Sequence, residues 1–113
     1  LLTHDHTVVQ DMLDQALIGP EESQTHPERH VVTRAVGHSV ELEVDTTAVP
    51  LVPQDRLMLC SDGLTGCLSD QQISDHMRRA THPKMLCTTL ITAALEAGAS
   101  DNVSVVSVFA ERR

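Results

Sequence analysis

The 113-residue chain has no tryptophan, no tyrosine and a single phenylalanine, Phe109. Proteins that grip single-stranded nucleic acid usually offer several aromatic rings as stacking platforms, and none can be assembled here. Positive charge is scarce as well: eight Lys and Arg stand against sixteen Asp and Glu, for a formal net charge of −8. Phosphate backbones reward clustered cations, so both shortages argue against a nucleic-acid partner. No apolar run approaches the roughly 20 residues of a membrane span, and the first residues lack the layout of a secretory signal. Cysteine occurs only as Cys60, Cys67 and Cys87, an odd count at unrelated spacings that makes neither a disulfide framework nor a zinc pair. Reduced thiols in a cytoplasmic protein are the simpler expectation.

What is present is ordinary for a globular chain: 41% hydrophobic and 21% charged residues. The length allows at most one domain, burying roughly 65% of its unfolded surface. Leu1 to Asp5 is expected to finish a strand. Thr7 and Gln10 have capping-box spacing, and Val9, Met12, Leu13, Ala16 and Leu17 form one apolar stripe of a helix that Gly19 would close. Pro20 suits the first position of a short second helix, which ends before Pro27. Val31 to Gly37 is ambiguous by pattern. Val40, Leu42 and Val44 alternate with Glu41, Glu43 and Asp45, which predicts a strand with one face in water. After a loop marked by Pro50 and Pro53, Arg56–Ser61 and Val103–Ala110 are nearly all apolar, as central strands covered on both faces would be.

Two helices are predicted between those strands. Ser69 and Gln72 form a capping box, Leu68 and Ile73 a hydrophobic staple, and Ile73, Met77 and Ala80 an inward face. Pro83 opens the next helix, with Met85, Leu86, Thr89, Leu90, Ala93, Ala94 and Ala97 as its stripe and Gly98 at its end. Strands and helices come mixed rather than strictly alternating, so the expected class is α+β.

The chemistry concentrates at two aspartates. Ser61-Asp62-Gly63-Leu64 follows the apolar run ending at Cys60, and Ser100-Asp101-Asn102 precedes the run beginning at Val103. One carboxylate closes a strand and the other opens one, so the two can meet at one edge of a sheet. Magnesium and manganese take oxygen ligands and keep several waters, and such a pair suits them. An Asx turn at Asp62 and a loop or cap role at Asp101 are the structural alternatives.

These runs, with Leu2-Thr3-His4-Asp5-His6-Thr7 and His26-Pro27-Glu28-Arg29-His30 leading into Thr33-Arg34-Ala35-Val36-Gly37, resemble the metal-dependent Ser/Thr protein phosphatases. That family is also called type 2C or PPM, and the likeness is to its bacterial form. The four segments follow the family's order and span nearly the whole chain, residues 1–113, but match only the C-terminal half of the domain. The upstream half, with its Asp-Gly-x-Gly-Gly metal motif, has no counterpart here. The chain also begins at Leu1 with a motif already under way, so it is expected to be a piece of a longer protein.

The resemblance implies a four-layer α-β-β-α sandwich, two antiparallel sheets packed face to face with helices outside. It implies hydrolysis of phosphoserine and phosphothreonine in proteins by a metal-activated water, with no side-chain nucleophile. Asp62 and Asp101 would ligate Mn2+ or Mg2+ in a centre of two or three ions, supported by Gly63 and Asn102. Phosphorylated protein substrates and a cognate Ser/Thr kinase are the implied partners. Arg29 and Arg34 fall near the substrate entrance, where guanidinium groups suit phosphate, although salt bridges are the commoner use of such residues. His30 and His38 stand where relatives often carry Asn and Asp. The His4-Asp5-His6 run looks like a transition-metal cluster but lacks further ligands, and Cys60 lacks the Cys-x5-Arg loop of cysteine phosphatases.

Two carboxylates leave most coordination positions of two ions to water. The chain by itself is therefore expected to bind metal weakly, to hydrolyse little or nothing, and to self-associate through exposed apolar sheet surface. A degenerate or truncated phosphatase-like module that regulates a partner is the alternative function.

Overall fold

The computed structural model describes residues 1–112. The chain forms two compact units, Leu1–Val49 and Pro50–Arg113. The architecture is α+β, with five helices and one two-stranded antiparallel sheet among the described residues.

In the first unit, helix α1 covers Val8–Asp14 and α2 covers Pro20–Thr25. Thr7 is the N-cap of α1, its Oγ1 accepting from the Gln10 N–H at 3.1 Å. The capping box is not completed. Gln10 Nε2 donates to Asp14 Oδ1 at 2.9 Å, a one-turn pair on the helix surface. The helix also stops earlier than its apolar stripe suggested. Ala16 takes φ 56°, its N–H bonds to Leu13 O, and the Leu17 N–H bonds to Met12 O. That is a Schellman ending with alanine in the left-handed position where glycine is usual. Gly19, expected to close α1, instead precedes α2 as its N-cap. Pro20 holds the first position of α2, as its fixed φ favours.

The strand expected from the alternation at 40–45 is absent among the described residues. Residues 38–41 are bends, 42–49 have no regular structure, and Val40, Leu42 and Val44 are exposed. Leu1 to Asp5 likewise forms no strand. An alternating segment becomes a strand only where a neighbour accepts its ladder hydrogen bonds, and neither segment has one. The ambiguous stretch at 31–37 contributes a lone antiparallel bridge, Thr7 to Val32.

In the second unit the elements run β1 (Arg56–Cys60), α3 (Asp62–Thr65), α4 (Asp70–Arg79), α5 (Pro83–Glu96) and β2 (Val105–Phe109). A turn leads into β1: Asp55 N–H bonds to Val52 O, Pro53 occupies the second position and Gln54 the third with φ 81°, a type II arrangement. The register pairs Arg56 with Phe109 and Cys60 with Val105. Ser69 caps α4 with a complete box, Gln72 N–H to Ser69 Oγ and Ser69 N–H to Gln72 Oε1. His82 caps α5 through Nδ1, and Gly98, at φ 82°, closes it in the Schellman geometry that α1 reaches with alanine.

The core lies between one face of the sheet and the helices. Leu64, Leu86 and Leu90 are fully buried, with Leu68, Ile73, Ala80 and Ala94 around them. Burying each leucine contributes about 2 kcal/mol. Met77 and Ala93 pack against this cluster as expected, but Met85 and Ala97 face solvent, so the stripe on α5 is narrower than its sequence suggested.

The strands are not covered on both faces. Met58, Cys60, Val105 and Phe109 point into the core, whereas Leu59, Val106 and Val108 lie 63%, 59% and 45% exposed. Leu59 and Val106 are direct cross-strand partners on that open face.

Candidate metal-ligating site

Asp62 and Asp101 belong to the second unit, at the end of the sheet where β1 stops and the approach to β2 begins. Ser61 is the N-cap residue of α3, but its side chain makes no cap hydrogen bond to that helix. It turns instead to the opposite segment. The Ser61 hydroxyl donates to the Asn102 carbonyl at 3.2 Å and accepts from the Ser104 N–H at 3.0 Å, while its own N–H donates to Ser104 O at 3.0 Å.

Gly63 completes the junction. Its φ is not in the left-handed region, so glycine is not required there by conformation. Space is the reason: a Cβ would sit 2.9 Å from the Asn102 carbonyl carbon and closer still to its oxygen. Glycine at this position thus serves close backbone approach to the Asn102 carbonyl. Asn102 supports its neighbour by its backbone, its N–H donating to Asp101 Oδ1 at 2.7 Å.

Asp62 and Asp101 are therefore the residues that immediately precede the two members of a backbone contact, Gly63 and Asn102. Both are exposed, so neither carboxylate bears a burial cost. Among the described residues no group of three or more His, Cys, Asp or Glu side chains is arranged to hold a metal ion. The donor set present is two exposed carboxylates on abutting segments, one already oriented by a backbone N–H. Magnesium is commonly held by one or two carboxylates with the remaining positions filled by water, so the residues fit a hard divalent cation.

The remaining candidates are in the first unit. Arg34 is committed to acids: NH1 lies 2.8 Å from Asp45 Oδ1 and NH2 lies 3.3 Å from Glu43 Oε2. Arg29 donates to the His26 carbonyl at 3.2 Å and is otherwise exposed. His4 and His6 do not share a site, since His4 Nε2 meets Asp14 Oδ2 at 2.8 Å and His6 Nε2 meets Asp45 Oδ2 at 2.7 Å. The hydrogen bond from Arg34, then that from His6, holds the Asp45 carboxyl down at about 2. Burial pushes the Cys60 thiol up, the wrong direction for a nucleophile.

Two arrangements were not foreseen from sequence. One is the Ser61 clamp, whose only signal is a hydroxyl beside each aspartate segment. The other is Arg56, which stacks over Phe109 at 4.6 Å from the ring centroid while NH1 bonds to the carbonyls of Met77 and Arg78 at the end of α4. An open groove of about 320 Å³, lined by Gln72, Asp75, His76, Arg79 and Glu96 among others, includes neither Asp62 nor Asp101.

A family model described as stage II sporulation protein E (SpoIIE) matches residues 7–110. The chain belongs to the SpoIIE family. It carries part of a PPM-type phosphatase domain, the resemblance drawn from the sequence motifs. The serine/threonine phosphatase stp of Listeria welshimeri is 35% identical over 107 residues, which are 95% of this SpoIIE-family chain and 42% of that protein. A serine/threonine phosphatase structure from S. agalactiae superposes with TM-score 0.93 at 32% identity, over 98% of this chain and 46% of that one. The catalytic domain of the serine/threonine phosphatase PstP, solved in complex with two manganese ions, superposes with TM-score 0.76 at 35% identity, over 97% and 45%. The chain thus spans less than half the length of these relatives.

Proposed function

We propose that the protein containing this chain hydrolyses phosphoserine and phosphothreonine in other proteins, with Mn2+ or Mg2+ held in part by Asp62 and Asp101. Residues 1–113 would form the C-terminal portion of a type 2C domain whose complete form is the four-layer sandwich. One observation carries the reading: Gly63 and Asn102 abut, so the aspartate beside each sits at the same sheet end. Relatives that are named phosphatases, and one that binds manganese, support it.

When bound, such cations supply Lewis acidity toward a phosphoester and toward water. The chain's own part is to aim carboxylates. Asn102 N–H fixes one Asp101 oxygen and leaves the other free to ligate. Asp62, in the first turn of α3, rides on a helix anchored by the buried Leu64. Of the two arginines, Arg29 is the proposed phosphopeptide contact, because Asp45 and Glu43 already neutralise Arg34. A cognate Ser/Thr kinase would supply the phosphorylated substrate.

The test is manganese-dependent hydrolysis of a small aryl phosphate by the intact protein and by Asp62→Asn and Asp101→Asn. Each substitution is expected to remove activity by more than the roughly 100-fold that residues behind metal ligands account for. Activity that survives both substitutions would end this reading.

A further inference from the structure

We infer that Ser61 is a positioning residue, one whose hydroxyl holds Asp62 and Asp101 at the separation and orientation a shared divalent cation requires. The inference rests on the reading of those two aspartates as cation ligands. A serine at a helix N-cap ordinarily spends its oxygen on the first turn of its own helix. Ser61 does not: its carbonyl accepts from the Leu64 N–H, but its side chain makes no cap hydrogen bond to α3. Its hydroxyl instead works across the junction, donating once to Asn102 O and accepting once from Ser104 N–H. One hydroxyl thereby grips the opposite segment at two points, and the Ser61 N–H adds a third through Ser104 O.

The connection runs directly to both carboxylates. Ser61 is the residue before Asp62. Asn102, whose carbonyl it holds, donates its own N–H to Asp101 Oδ1 at 2.7 Å. The missing Cβ of Gly63 lets the same carbonyl come close enough for the grip. Losing the hydroxyl would leave the fold's apolar contacts intact, because Ser61 lies outside the buried cluster. What it would loosen is the relation between two exposed side chains that no packing holds. Partners behind metal ligands act through this kind of orientation and alter affinity by about 10–100-fold.

The readout is Mn2+ affinity, measured on the intact protein by the spin-resonance signal of free Mn2+ below each variant's melting temperature. Ser61→Ala should weaken binding about tenfold, and Ser61→Thr, which keeps the hydroxyl on an extended backbone, should stay within about twofold of the parent. Ser61→Ala that binds Mn2+ as the parent does, while melting lower, would make the hydroxyl a stability element and overturn the inference. Ser61→Thr as weak as Ser61→Ala would overturn it too, and Ser61→Thr alone decides the matter should the alanine variant fail to fold. Asp62→Asn separates the two levels: lost Mn2+ binding upholds the ligand reading whatever Ser61 does, and unchanged binding overturns both.

Discussion

Gly63 and Asn102 meet backbone to backbone, with no room between them for even a methyl group. Alanine is normally the better helix residue by about 1 kcal/mol. At position 63 the sign reverses, since the added carbon would strike a carbonyl that Ser61 also holds. Gly63→Ala should destabilise the second unit by about 2 kcal/mol, as overpacking does, and should reduce Mn2+ affinity. Thermal unfolding with and without Mn2+ checks both; a stabilised variant would refute the close contact.

Arg56 ties the sheet to α4 by bonding to the Met77 and Arg78 carbonyls and stacking on Phe109. The C-terminal end of a helix carries partial negative charge, which favours a cation there. Arg56→Ala should cost about 2 kcal/mol in urea unfolding, from a charged hydrogen bond and the ring contact together. Arg56→Lys should recover only part of that, since an ammonium lacks the planar fork.

In the first unit Asp45 joins Arg34 and His6, linking the irregular 42–49 segment to the residues around α1. Its carboxyl is lowered from 3.8 to about 2, mainly by the Arg34 hydrogen bond. A carboxyl with a depressed folded-state value stabilises above its unfolded value and loses that contribution as pH falls through the folded one. The Asp45 contribution should therefore be whole above pH 3.8 and vanish toward pH 2. Carbon NMR titration should place the Asp45 midpoint near the lower value, and Arg34→Gln should move it upward. The same substitution should speed hydrogen exchange in residues 42–49.

The outer face of the sheet exposes the Leu59–Val106 pair beside Val108. This chain alone should self-associate through it, visible as a concentration-dependent mass in light scattering. Leu59→Glu with Val106→Lys places opposite charges across the strands and should give a monomer with the sheet retained. A parent chain that is already monomeric at high concentration would contradict the expectation.

Much was legible in the residues themselves wherever a few neighbours set the outcome. Thr7, Pro20, Ser69 and Pro83 mark helix starts because a cap or a fixed φ acts within one turn. The two apolar runs became β1 and β2, and the Asp62 and Asp101 motifs stood out by their places beside them. The alternation at Val40, Leu42 and Val44 misled for the opposite reason: a strand needs a partner that its own sequence cannot name. The end of α1 misled because Gly19 offered a cheap left-handed position, yet Ala16 adopts it.

Sequence alone determined which residues are chemically able to hold a cation and which segments begin helices, since both depend on side-chain identity and local backbone preference. Only the tertiary structure decided that the Ser61 side chain reaches across the junction rather than to the first turn of α3, that Gly63 is needed for space, and that one sheet face stays bare. Those outcomes depend on how closely chain segments some forty residues apart approach, a distance set by packing and backbone pairing rather than by either segment alone.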